Sequence, residues 1–145
     1  GAVFAAAGLE RINLKPENFI NLDWMIPAPA QGAMLVVAMA NDEFSRQALN
    51  ELNDIDTEIC THIERQFLKT LEGGCTAPIG ALATFVEDDI LFKGVLFSID
   101  GKEKIEIEKT VPMQDWKKLG FYCAKEILEN GGTTLMKSIK ETLKK

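Results

Sequence analysis

The chain has few of the residues from which metal, redox and hydrolytic sites are built. It contains one histidine and three cysteines, at positions 60, 75 and 123, among 145 residues. The cysteines are odd in number and widely spaced, and no two of them have the spacing of a zinc ligand pair or a Cys-x-x-Cys redox centre. The sequence therefore predicts neither a metal site nor a disulfide framework, and reduced thiols fit it best.

Basic residues are scarce relative to acidic ones. The 16 lysines and arginines are outnumbered by 22 aspartates and glutamates, and the net charge is -6. A chain of this charge does not favour a nucleic-acid surface. Its longest apolar run, residues 32–40, is too short to cross a bilayer, and no signal-like segment is recognised. We expect a soluble cytoplasmic protein without nucleic-acid or membrane partners.

Residues 51–145 show the clearest pattern of secondary structure. Apolar residues every four positions predict one long helix with Asp54 or Asp56 as its cap, and the stripe consists of Ile55, Ile59, Ile63, Phe67 and Leu71. Segments 79–86, 90–99 and 104–108 have the composition of strands, and acidic or Asp-Gly turns separate them. Two further helices are predicted over about 114–129 and from about 133 onward. The fold class is α+β, a three-stranded antiparallel sheet with about three helices on one face.

The first 50 residues are expected to be fragments of other layers. The alanine-rich segment 2–11 predicts a short buried helix that ends near Gly8, and the apolar run 33–40 predicts a strand buried on both faces. A short helix follows, capped by Asp42 or Ser45, with Ala48, Leu49 and Leu52 expected to be buried. These segments lack partners in the chain for their apolar surface.

Most chemistry-bearing side chains have ordinary interpretations. The single histidine, His62, has no obvious partner and is interpreted as a surface or boundary residue. Cys60 and Cys123 lie in apolar helical segments, which is typical of small core residues. Asp88 and Asp89 are adjacent in a turn and are expected to face water.

Cys75 is the exception, because it lies in the glycine and proline frame LEGGCTAPIG, residues 71–80. Gly73 and Gly74 allow the left-handed turn that closes a helix, and Pro78 prevents the helix from resuming. A thiol held in such a loop suits covalent attachment of a ligand or cofactor, although an incidental thiol in a helix-ending loop is as plausible on spacing alone. Arg11 is either a fork for a ligand carboxylate or a surface arginine.

Three segments of the chain carry a family resemblance. Residues 71–80, together with the preceding ERQFLKT of residues 64–70, resemble the cofactor-attachment motif of the porphobilinogen deaminase (hydroxymethylbilane synthase) family. Residues 27–33, PAPAQGA, are similar to that family's Pro-Ala-x-x-Gln-Gly-Ala segment, and residues 5–11, AAAGLER, to its Ala-Gly-Leu-x-Arg segment. The three occur in the family's order, and the resemblance covers the whole chain.

The resemblance implies a transferase that condenses four porphobilinogen units on a cysteine-linked dipyrromethane to give hydroxymethylbilane. Cys75 would carry the dipyrromethane by a thioether, Gln31 and Gly32 would lie close to this cofactor, and Arg11 and Gly8 would bind substrate. The catalytic aspartate of the family matches no residue of this chain. Residues 34–41 depart from the family's usual Gly-Ile-Glu continuation, so a polar contact normally made there is in doubt.

The resemblance further implies a C-terminal fragment, since the chain opens at Gly1 and most of family domains one and two is missing. Residues 1–28 would be the tail of domain two, 29–50 the strand and linker returning to domain one, and 51–145 the cofactor-cysteine domain. We expect the fragment alone to be inactive and without cofactor. Its residues 1–50 should either become mobile or pair with another copy through residues 29–50, although the family is usually monomeric. The alternative is a non-catalytic α+β ligand-binding or interaction module.

Overall fold

The computed structural model of the chain describes residues 1–74 and 76–143. Its helices and strands follow in the order α1 Ala6–Arg11, α2 Glu43–Asn50, α3 Ile55–Thr70, β1 Ile79–Val86, β2 Asp89–Phe97, β3 Lys104–Pro112, a 3-10 helix Met113–Lys118, α4 Leu119–Ile127, a π turn Leu128–Gly132 and α5 Thr133–Leu143.

Helix α3 forms as the sequence predicts. The Asp54 carboxylate accepts the Thr57 backbone N–H at 2.8 Å and so caps the first turn. Hydrogen bonds from Thr57 hold the pKa of Asp54 below its ordinary value. The apolar stripe is buried at Ile59, Ile63, Phe67 and Leu71, whereas Ile55 in the first turn remains exposed. The predicted four-residue spacing is therefore confirmed over all but its first position.

The end of α3 differs from the prediction in one respect. The residue with left-handed backbone is Glu72, at φ 54°, and neither Gly73 nor Gly74. The Gly73 N–H donates to the Leu68 carbonyl and the Glu72 N–H to the Lys69 carbonyl, both at 3.1 Å, which is a Schellman closure. A Cβ on Gly73 would lie 2.4 Å from the end of the Ile79 side chain, which would have to shift to make room for it.

The three strands form an antiparallel meander in the order β1, β2, β3, as predicted. Ala83 faces Phe92 across the first pair, and Gly94 faces Ile107 across the second. Along β3, exposed and half-buried residues alternate, so one face of this strand is wet. A Cβ on Gly94 would lie 2.7 Å from the Phe67 ring, which shows how closely α3 packs on the sheet.

The C-terminal helices complete the layer that covers the sheet. Leu119, Cys123 and Ile127 of α4 join the core, together with Leu135 and Ile139 of α5. Helices α3 and α4 approach so closely that a Cβ on Gly120 would lie 2.1 Å from the Ile63 carbonyl oxygen. The predicted break between the two helices is confirmed at Gly131, whose φ is 103°.

The first 50 residues depart from the sequence-based expectations. Helix α1 runs through Gly8 and has no buried residue, and residues 33–40 form no strand. Helix α2 is capped by Asp42 as predicted, but Leu49 is only half-buried and Leu52 is exposed. The physical reason is the same in each case: among the described residues nothing covers these apolar side chains, and no neighbouring strand accepts the hydrogen bonds of residues 33–40.

Candidate functional site

Residues 27–33, which carry the predicted site residues Gln31 and Gly32, form a turn that docks on the C-terminal domain. Strand β1 is an edge strand, and its Ala81 N–H, which points away from β2, donates to the Pro27 carbonyl at 2.9 Å. The turn is closed by the Gln31 N–H, which donates to the Ala28 carbonyl at 3.0 Å. Gly32 has a φ of 86°, which only glycine adopts at low cost. The turn is thus attached to the edge of the sheet.

A buried carboxylate joins this turn to α3 and β1. Glu64 is 5% exposed, and its Oε2 accepts the Ala30 N–H at 2.6 Å while its Oε1 accepts the Ala83 N–H at 2.9 Å. Burial raises the pKa of the Glu64 carboxyl, and the two backbone donors act in the opposite direction. Sequence reasoning gave Glu64 no role of its own. Its position four residues after Cys60 and three before Phe67, on the apolar side of α3, was the available signal.

A cleft of about 410 Å³ lies between the turn, α3 and β1. Gln31 and Gly32 line one wall, and Cys60, Glu64 and Phe85 are among the residues opposite. Gln31 and Gly32 are exposed to solvent. The structure therefore brings the predicted pair to an open cleft whose floor belongs to the C-terminal domain.

The predicted attachment residue, Cys75, lies outside the described residues. The segments on either side of it are fixed to the domain. Before it, the Glu72 carboxylate pairs with the Lys140 ammonium of α5 at 2.6 Å, and this contact lowers the pKa of Glu72. After it, the Pro78 carbonyl accepts the Phe97 N–H of β2 at 3.0 Å.

The two predicted substrate-binding residues lie in the exposed helix α1. Arg11 occupies its last turn and Gly8 its middle, and a Cβ on Gly8 would meet nothing within 4 Å. Within residues 1–74 and 76–143, the Arg11 side chain takes part in no hydrogen bond or ion pair, and neither residue lines the cleft beside Gln31. This chain alone does not bring Arg11 and Gly8 to the turn.

Cys123 lies in the core as the sequence predicts, whereas Cys60, which was also predicted as a core residue, is only half-buried and lines the cleft. Burial raises the pKa of the Cys60 and Cys123 thiols to about 11, so both are protonated at neutral pH. His62 packs edge-on against Trp116, with ring centroids 5.1 Å apart. In the described part of the chain, no three His, Cys, Asp or Glu side chains lie close enough together to hold a metal ion. No helix of that part is both long and apolar enough to span a membrane.

These features define an α+β domain with a glycine-framed cysteine at a helix end and a docked Gln-Gly turn. Two models of one family match the chain, one over the segment that contains the turn and the other over the segment that contains the cysteine. Residues 1–47 match the model described as porphobilinogen deaminase, dipyromethane cofactor binding domain, and residues 58–129 match that described as porphobilinogen deaminase, C-terminal domain. The chain belongs to the porphobilinogen deaminase family.

Curated relatives agree with this assignment. The chain is 38% identical over 145 residues to a porphobilinogen deaminase of Campylobacter jejuni subsp. jejuni, covering 97% of this chain and 47% of that protein. It is 34% identical over 142 residues to the porphobilinogen deaminase of Carboxydothermus hydrogenoformans, covering 97% and 46%, and 37% identical over 143 residues to that of Brevibacillus brevis, covering 96% and 46%. The chain spans about half the length of the curated relatives it matches.

Proposed function

We propose that this chain supplies the cofactor-attachment domain of a porphobilinogen deaminase, with Cys75 holding dipyrromethane through a thioether. The matches to two models of this family carry the proposal, because the first includes the docked turn and the second includes the whole LEGGCTAPIG segment. The activity is the head-to-tail condensation of four porphobilinogen units to hydroxymethylbilane. When bound, the cofactor supplies the pyrrole carbon to which the first unit is added.

In this proposal the residues of this chain bind and orient the cofactor and the substrate. The Cys75 sulfur anchors the cofactor, and Gln31 offers an amide to a polar group of the cofactor, while Gly32 leaves the backbone open to it. A cleft of about 410 Å³ is within the usual range of small-molecule sites, about 300–1,000 Å³. The fork of Arg11 binds a pyrrole carboxylate, and Gly8 allows the close approach of that group.

The proposed division of the chain follows the family. Residues 1–28 complete domain two, residues 29–50 return to domain one, and residues 51–145 form the cofactor-cysteine domain. The carboxylate that stabilises pyrrole cations and moves protons belongs to the other half of the enzyme, so the isolated chain is inactive. The two halves meet over the exposed apolar side chains of residues 1–50. The enzyme works in the cytoplasm.

The test is a chimaera in which this chain replaces the matching half of the Campylobacter jejuni relative. We expect the chimaera to convert porphobilinogen into hydroxymethylbilane, and the 145-residue chain to produce none. The Cys75→Ala chimaera should be inactive, whereas the matched Cys123→Ala chimaera should keep its activity because Cys123 lies in the core and does not line the cleft. Equal activity of the Cys75→Ala and parent chimaeras would contradict the proposal.

The second candidate, a non-catalytic α+β ligand-binding or interaction module, makes a different prediction. It requires no covalent pyrrole on the protein. An aldehyde colour test for pyrroles on the denatured chimaera separates the two, since a folded but colourless protein favours the module.

A further inference from the structure

We infer that Glu64 is a positioning residue that fixes the Gln31–Gly32 turn against the cofactor domain. The purpose of this positioning, which is to hold the turn beside the cofactor, rests on the proposed function. The contacts of Glu64 do not, because they belong to the described structure.

The two oxygens of the Glu64 carboxylate have separate functions. One satisfies an N–H group at the edge of β1, and the other holds the turn. Strand β1 is the free edge of the sheet, and the N–H groups of Ala81 and Ala83 point away from β2. The Pro27 carbonyl accepts the first at 2.9 Å, and Glu64 Oε1 accepts the second at 2.9 Å. The edge donors that would otherwise need water are therefore satisfied by the turn and by α3.

The other oxygen of Glu64 attaches the turn. It accepts the Ala30 N–H at 2.6 Å, directly before Gln31. Ala30 has a φ of 59°, an uncommon backbone conformation for a residue with a side chain, so the turn gains from an external contact that stabilises it. Hydrogen bonds from N–H groups to a carboxylate are roughly twice as strong as those between neutral groups.

Only a carboxylate can accept a hydrogen bond through each of its two terminal atoms at this position. Both Glu64 oxygens face N–H donors, so both must act as acceptors. A glutamine of the same size has one acceptor oxygen, and its NH₂ group would face the second donor. Ala83 is fixed in the sheet, so we expect the substituted amide to keep Ala83 and to release Ala30.

The first experiment measures amide hydrogen exchange by NMR on the 145-residue chain, comparing wild type with Glu64→Gln. We expect exchange at Ala30 to rise about tenfold or more, while core amides such as Phe92 keep their protection. Glu58→Gln is the matched control, because Glu58 lies on the same helix, is exposed, and among the described residues its carboxylate accepts a hydrogen bond only from the Asn53 side chain. Unchanged exchange at Ala30, or an equal rise at Ala30 and Phe92, would overturn the inference.

The second experiment measures the rate of pyrrole attachment to Cys75 in the chimaera described above. Glu64→Gln should slow attachment in a chimaera whose core amides keep their protection, and Glu58→Gln should not. If the parent chimaera attaches pyrrole and Glu64→Gln does so at the same rate, the positioning role is wrong. If the parent attaches none, the proposed function fails, and exchange at Ala30 alone then decides whether Glu64 fixes the turn.

Discussion

Residues 1–50 and residues 51–143 contain similar apolar side chains but use them differently. In the second region Ile63, Phe67 and Phe92 are completely buried. In the first region Phe4, Val37 and Phe44 are between 67% and 84% exposed. The difference teaches that apolar composition and helical or strand patterns do not bury a residue unless a partner surface is present.

The turn at residues 27–33 is where the two regions meet. It is held by hydrogen bonds to the Ala81 N–H at the edge of β1 and to the Glu64 carboxylate, and the preceding Ile26 lies against Gly80 of the same strand. The first region thus has a polar partner within this chain, whereas most of its large apolar side chains are exposed among the described residues.

The largest expected effect is the difference in the free energy of unfolding between two substitutions, one of a phenylalanine in each region. Phe67→Ala should lower the free energy of unfolding by about 3–5 kcal/mol, because it leaves a cavity in the core. Phe44→Ala should change it by less than about 0.5 kcal/mol, since Phe44 is already exposed. Urea unfolding measures both. Similar losses at the two positions would mean that residues 1–50 share the core.

The reactivity of thiols compares buried and half-buried positions of the second region with an exposed position of the first. Burial raises the pKa of Cys60 and Cys123 from 9.0 to about 11, so at pH 8 each should react with iodoacetamide about 100-fold more slowly than an unperturbed thiol. A reference thiol introduced by Ala38→Cys in the exposed segment should react at the unperturbed rate. Mass spectrometry of timed samples gives each rate, and fast labelling of Cys123 would contradict its place in the core.

Two glycines provide a smaller contrast. Gly120→Ala should destabilise the domain by about 1–3 kcal/mol, because the added Cβ would collide with the Ile63 carbonyl where α3 and α4 meet. Gly8→Ala is the matched control in an exposed helix, where the new methyl group meets nothing. Thermal unfolding compares the two. No loss of stability in Gly120→Ala would show that the two helices can move apart.

The smallest effect concerns self-association of the exposed segment. If residues 33–39 pair between copies, sedimentation should detect a dimer that weakens on dilution, and Val37→Lys should shift the equilibrium to monomer. Phe4→Lys, outside the segment, is the control. A wild-type chain that remains monomeric at high concentration would contradict the expectation.

Sequence patterns predicted the second region well because its partners are local. The stripe of α3, the three strands and the break at Gly131 each follow from short-range periodicity or turn chemistry. The strand expected over 33–40 failed because a strand is defined by its neighbour, and its neighbour is not among the described residues.

The site was predictable in part. Motif resemblance singled out Gln31 and Cys75, whose roles stay predictions, and the structure adds that Gln31 lines a cleft with residues of α3 and β1. Glu64 was not found, because a buried carboxylate is recognised only when the backbone donors around it are known. Glu72 at the left-handed position was also missed, since two glycines follow it and were the better candidates by propensity.

The most direct test of the central claim is the covalent state of Cys75. The chimaera with the Campylobacter jejuni half should be incubated with porphobilinogen, digested, and its cysteine-containing peptides examined by mass spectrometry. We expect a dipyrrole on the peptide that contains Cys75, and none on the peptides of Cys60 or Cys123. A dipyrrole on either of those peptides, or an adduct that survives in Cys75→Ala, would contradict the account.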